Sequence, residues 1–178
     1  MKKILAIGGS NSKQSINKQF AVWAANELDG VDVEIIDLND FEMPIYGIDK
    51  ENEHGIPPEA HDFKSIVKNS DGVVLSLAEH NGSYSAAFKN ITDWVSRIEK
   101  GTWAGKPMLL LATSPGGRGG QGVLSTAKAA MPHQGAELSG TFSLPAFGSN
   151  FDATVGISSD ELRVEFQKQL ALFKEAIG

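Results

Sequence analysis

The sequence contains no cysteine, which excludes disulfides, thiolate metal sites and thiol redox chemistry together. Any redox role must therefore come from a bound cofactor. Histidine is scarce as well: His54, His61, His80 and His133 stand in no spacing that matches a metal-binding motif, so no metal site is expected. Basic residues are outnumbered, 16 Lys and Arg against 22 Asp and Glu, for a net charge of -6. No segment supplies the basic face that nucleic-acid phosphates require, so no nucleic-acid partner is expected. Long apolar runs are missing too. Two lysines precede Ile4-Leu5-Ala6-Ile7, but that run stops at Gly8-Gly9-Ser10-Asn11, too short for a signal peptide or a membrane span. No membrane partner is expected, and a cytoplasmic location is the default.

What is present is an ordinary globular chain. At 178 residues, 41% of them hydrophobic and 21% charged, it is long enough to bury a core and short enough to be one domain, 1–178. Five apolar runs read as strands: Lys3 to Ile7, Asp32 to Asp37, Gly72 to Leu77, Pro107 to Thr113, and Glu137 to Phe142. The central three are almost wholly aliphatic, the pattern of a parallel sheet covered on both faces. Helical spacing fills the gaps. Ile16, Phe20, Trp23, Ala24 and Leu28 share one face, as do Ala87, Ile91, Trp94, Val95 and Ile98. Further helices are expected over Pro58 to Lys68, with Phe63, Ile66 and Val67 inward, and over Gly122 to Met131. A last one carries Leu162, Phe166, Leu170, Phe173 and Ile177 behind the cap Ser159-Asp160. This strict alternation predicts an α/β three-layer sandwich, a doubly wound five-stranded parallel sheet of order 2-1-3-4-5 with helices on both faces. Asn39 to Pro57 and Leu144 to Ser158 are too long for simple turns and read as ordered surface loops.

In such a sheet ligands bind beyond the carboxyl ends of the strands, and three polar or glycine-rich clusters fall there. After strand one, Gly9 to Asn17 leads into a helix whose free N–H groups favour a phosphate. Ser10, Ser12, Ser15 and Asn17 add neutral donors, Lys13 adds charge, and Ile16 opens the helix. The spacing matches neither G-x-x-x-x-G-K-[ST] nor G-x-G-x-x-G, which disfavours a nucleoside triphosphate and a Rossmann-held pyrophosphate. A terminal phosphate wrapped by hydroxyls remains, beside the alternative that these are ordinary turn and cap residues. After strand three come Glu79, His80, Asn81, Gly82 and Ser83, able to offer amides to the edge of a planar heterocycle or, through Glu79 and His80, an acid and a base. After strand four come Ser114, Gly116, Gly117, Arg118, Gly119 and Gly120, where glycines let the backbone approach a ring and Arg118 can offset negative charge.

From Lys3 to about Ser125 the sequence resembles the NADPH-dependent FMN reductase family. Gly9-Ser10-x-x-x-x-Ser15-x-Asn17 is similar to that family's G-S-x-R-x-x-S-x-N loop; AEHNGSYSAAFKNITDW, 78–94, to its P-E-Y-N-x-S-x-P-x-x-L-K-N-x-x-D-W; and SPGGRGG, 114–120, to its S-x-G-x-x-G-G. The resemblance implies a flavodoxin-like fold and bound FMN, with NADPH or NADH delivering hydride to flavin N5 and a small-molecule electron acceptor following: free flavin, quinone, azo compound or metal oxyanion. It assigns Ser10, Ser15 and Asn17 to the phosphate. Glu79, His80, Asn81 and Ser83 would line the ring, and Ser114, Gly116, Gly117 and Arg118 would close its other edge. No side chain is named as catalytic, because the flavin carries the chemistry. A homodimer or homotetramer is implied. The chain departs from the pattern at Ser12, where the family has arginine, and at Ala78, His80 and Ser85, where it has proline, tyrosine and proline. The other readings are a flavodoxin-like electron carrier and a flavin-binding regulatory relative without reductase activity.

Overall fold

The apolar runs pair side by side into a parallel sheet. In the computed structural model, which describes residues 1–178, β1 (Lys2–Gly9), β2 (Val31–Ile36), β3 (Gly72–Leu77), β4 (Lys106–Thr113) and β5 (Ala136–Leu144) take the order β2-β1-β3-β4-β5. The predicted sheet order is the observed one. Ile4 lies beside Val33 on one side and Gly72 on the other, and Leu75 beside Leu110. A register shift between Met108 and Leu109 marks the β4–β5 pairing.

Alternation along the strands divides the core in two. Leu5 and Ile7 of β1, Leu75 of β3 and Leu110 of β4 face one side, where they meet Phe63, Phe88, Trp94 and Trp103. Ile4, Ala6, Val74, Leu109 and Leu111 face the other, against Phe20, Phe166 and Phe173. The side chains of β3 are buried throughout because both faces are covered.

The helices that cover those faces are α1 (Ile16–Asn26), α2 (Ile48–His54), α3 (Pro58–Lys68), α4 (Ala86–Val95), α5 (Gln121–Ala130), α6 (Phe147–Asn150) and α7 (Asp160–Ile177). Ser15, Ser85 and Ser159 cap α1, α4 and α7, each hydroxyl accepting from a backbone N–H three residues on. Asp160 and Glu161 in the first turn of α7 and Lys174 in its last complement the helix dipole.

Several expectations need correction. The periodic run through Ile98 outlasts its helix, which ends at Val95; Ile98 reaches the core from the turn beyond. In α3 the buried residues include Lys64, which is 3% exposed, while Ile66 is only partly buried. Lys64 Nζ donates to the carbonyls of Gly101 and Thr102 and pairs with Glu99 at 3.0 Å, so its charge is satisfied where it lies. The two long connections also hold structure. A 3-10 turn (Leu38–Phe41) and α2 occupy the first, and α6 with a hairpin of β6 (Phe151–Asp152) and β7 (Gly156–Ile157) the second. No residue of α2 is buried, so it leaves no apolar face in the sequence to signal it.

Candidate functional site

At the carboxyl ends of β1, β3 and β4 the chain leaves the sheet through three segments that enclose a cleft of about 290 Å3. Its lining comes from Ser10, Ser12 and Gln14 to Asn17, then Ala78 to His80, then Thr113 to Pro115. The structure thus brings Ser10, Ser12, Ser15, Ile16, Asn17, Glu79, His80 and Ser114 to one cavity. Lys13, Asn81, Gly82, Ser83, Gly116, Gly117 and Arg118 do not line it; all are exposed, on the turns around it or, for Lys13, on the far side of its loop. Gln14, Thr113 and Pro115 were not singled out from sequence, and Ala78 only as a departure from the family pattern, although each lies within or beside one of the three clusters.

The first segment is built by its own hydroxyls. Ser10 Oγ accepts from Ser12 N–H at 3.2 Å, Ser12 Oγ from Gln14 N–H at 3.3 Å, and Ser15 Oγ from Lys18 N–H at 3.1 Å. Each of these oxygens keeps its own hydrogen to donate. The N–H groups of Ile16 and Asn17 lead α1 and have no acceptor within the chain. Asn39 Nδ2 donates to the Asn11 carbonyl at 3.1 Å, and Lys18 Nζ meets Asp37 Oδ2 at 2.5 Å, fastening loop and helix to the end of β2. The Lys18 hydrogen bond, then the N–H of Asn39, hold the Asp37 carboxyl down at about 2.

Asn17 is anchored from inside the protein. Its side chain is buried; Oδ1 accepts from Ser76 Oγ at 2.7 Å and Thr113 N–H at 3.1 Å, and Nδ2 donates to the Thr113 carbonyl at 3.1 Å. The amide therefore ties α1 to β3 and β4, and it leaves one Nδ2 hydrogen and the backbone N–H of Asn17 unpaired in a residue that lines the cleft.

The second segment is a tight reversal. His80 and Ser83 exchange both backbone hydrogen bonds, at 2.9 and 3.0 Å, around Asn81 and Gly82, whose φ angles are 51° and 78°. Positive φ at both central residues is the type I′ geometry that Asn-Gly favours. Before it, Glu79 Oε2 accepts from Val123 N–H at 3.0 Å, so this carboxylate caps α5. Ser85 Oγ donates to the Gly9 carbonyl at 2.8 Å, joining the start of α4 to the end of β1.

In the third segment the Gly116 carbonyl accepts from Gly119 and Ala146 N–H at 3.1 and 2.9 Å, and Ser114 O from Phe147 N–H at 3.0 Å. Gly119 has φ 58°, and a Cβ there would stand 2.5 Å from Ser143 Oγ, so glycine lets the loop lie against β5. Gly116, Gly117 and Arg118 keep free N–H groups at the tip, and the Arg118 guanidinium makes no ion pair.

The donor set fits a flavin mononucleotide. Two N–H groups without acceptors, beside three hydroxyls at a helix N-terminus, suit a phosphate, and the free N–H groups of Asn81, Gly82, Gly116 and Gly117 suit the polar edges of a ring.

Residues 2–148 match the model of a family described as NADPH-dependent FMN reductase. An NADPH azoreductase of Bacillus sp. (strain OY1-2) is 32% identical over 129 residues, 72% of this chain and 68% of that one. A quinone reductase of Pseudomonas putida is 35% identical over 124 residues, 67% of this chain. The matched segment spans 64% of the Pseudomonas protein and 42% of a quinone reductase of Escherichia coli (strain K12). The fold matches that of FerB, a flavoenzyme NAD(P)H:(acceptor) oxidoreductase from Paracoccus denitrificans, with a TM-score of 0.77 at 24% identity over 99% of this chain and 97% of that one. With the family model covering the sheet from β1 through β5 and the three loops at its carboxyl edge, the chain belongs to the NADPH-dependent FMN reductase family.

Proposed function

We propose that this chain is an FMN-dependent NAD(P)H oxidoreductase, acting as one domain over residues 1–178, that draws electrons from NADPH or NADH and passes them to a small-molecule acceptor such as a quinone, an azo compound, free flavin or a metal oxyanion. The observation that carries the reading is the convergence of acceptor-free N–H groups at the start of α1 with two turns whose own N–H groups are free. Bound FMN supplies the hydride acceptor, its N5, and the store from which the second substrate is reduced. The protein binds and orients. In this reading Ile16 and Asn17 N–H with the Ser10, Ser12 and Ser15 hydroxyls hold the phosphate. The turn at His80 to Ser83 and the loop at Ser114 to Arg118 flank the ring, Glu79 acts by holding the first of these against α5, and Arg118 meets negative charge at the rim. A homodimer or homotetramer in the cytoplasm, without nucleic-acid or membrane partners, completes the proposal.

The test is spectroscopic. Purified protein loaded with FMN and mixed anaerobically with NADPH or NADH should lose its flavin absorption within seconds and regain it on adding a quinone. A yellow protein unmoved by either nucleotide would instead make it a carrier, and failure to bind added FMN would end the flavin reading altogether.

A further inference from the structure

Lys13 stands on the rim of a groove of about 470 Å3 along the outward side of α1. Its floor runs from Ser15 to Asn26 through Gln19, Val22 and Trp23, a length of roughly 16 Å at the helical rise. Ile35 of β2 and Phe151 and Ala153 of the β6–β7 hairpin complete the lining. Ser15 lines both this groove and the cleft described above, so the two lie on either side of one residue at the start of α1.

The lining is graded in chemistry. At the Ser15 end, Lys18 is neutralised by Asp37, whereas Lys13 makes no ion pair and leaves one net positive charge. Further along, the surface is apolar and partly aromatic: Ile35 is 50% exposed, and half-buried Trp23 is held edge-on by Phe151 at a centroid distance of 5.7 Å. Between them the exposed Gln19 amide has no partner in the chain. An anion joined to a flat, largely apolar body with polar ring edges matches all three regions. A plain hydrocarbon chain would leave the cation and the amide unused.

We propose that this groove is a subsite for an adenosine phosphate, with the phosphate at Lys13, the purine against Val22, Trp23 and Ile35, and Gln19 reading its polar edge. With only Ser15 between cleft and groove, the source is a dinucleotide: the adenylate half of FAD whose flavin phosphate lies in the cleft, or that of the nicotinamide nucleotide. The choice of source rests on the flavin reading of the cleft; the groove itself does not.

AMP is the probe. Trp94 and Trp103 are 1% and 0% exposed, so a saturable change in intrinsic fluorescence on adding AMP reports Trp23. Val22→Glu and Ile35→Glu, which alter the groove from two different elements, should each weaken AMP about tenfold with unchanged FMN affinity, and Ile35→Glu, at a half-exposed position, with unchanged melting temperature as well. The same variants then separate the sources: a matching loss of FAD affinity assigns the groove to the flavin dinucleotide, and a matching rise in KM for NADPH with FAD unaffected assigns it to the nicotinamide nucleotide. No AMP binding by the wild type, or equal binding by both variants, overturns the proposal. If AMP binds while FMN does not, the flavin reading falls and the adenylate subsite stands.

Discussion

Replacing Asn17 by alanine would take a hydrogen-bond partner from Ser76 Oγ and from both backbone groups of Thr113, at positions 0% and 1% exposed. Each buried group left unpaired costs about 1–3 kcal/mol. Asn17→Ala should therefore lose at least about 3 kcal/mol of stability, read as a drop in urea midpoint; a midpoint within error of wild type would mean that water replaces the amide without cost. Its neighbour Ser15 has a separate task, since its hydroxyl caps the helix and lines the cleft. The sequence placed both residues at the right edge of the sheet. It did not separate them, because an amide facing a ligand and an amide facing a neighbouring strand look alike until the strand order fixes which backbone groups lie underneath.

Among the elements, the loop after β4 shows glycines with unequal roles. A Cβ on Gly119 would press on Ser143 Oγ and on the Leu144 carbonyl at 2.8 Å, from a backbone at φ 58°, whereas one on Gly117 would meet nothing within 4 Å. Gly119→Ala should cost about 1–3 kcal/mol and Gly117→Ala should fall within about 0.5 kcal/mol of wild type, as thermal unfolding of the two variants would show. Equal melting temperatures would mean that the loop does not rest on β5. Sheet and long helices were legible because their apolar periods are strong: β3 is aliphatic but for Gly72 and Ser76, and α7 repeats Phe166, Leu170, Phe173 and Ile177. The elements that escaped have no period to read. α2 buries nothing, and β6 and β7 are two residues each. The cluster after β3 carried its turn signal openly, in Asn81-Gly82, beneath the reading of it as a wall of polar groups. Glu79 gave no such signal, for its partner, the N–H of Val123, lies 44 residues away.

For the molecule as a whole, acid stability offers a test of how α1 is anchored. The Asp37 carboxyl is held at about 2 by Lys18 and Asn39, against about 3.9 in an unfolded chain. A depressed carboxyl contributes stability that is fully present above the unfolded value and is lost as pH falls from about 4 to about 2. Because both side chains are about a third exposed, 31% for Lys18 and 34% for Asp37, solvent screening keeps the contribution below about 1 kcal/mol. Wild type should exceed Asp37→Asn in urea midpoint at pH 6 and lose that advantage by pH 2; a gap that persists at pH 2 would assign it to something other than the carboxylate charge. The same anchoring bears on variation in the loop. Asn17 fixes the start of α1 against β3 and β4 from inside the protein, so the position of the helix N-terminus does not depend on the side chains of Ser12 or Lys13, both exposed. Placement and charge are thereby decoupled, and the loop is free to gain or shed cations, tuning how tightly an anion is kept, while the coordinates of its receptor stay constant.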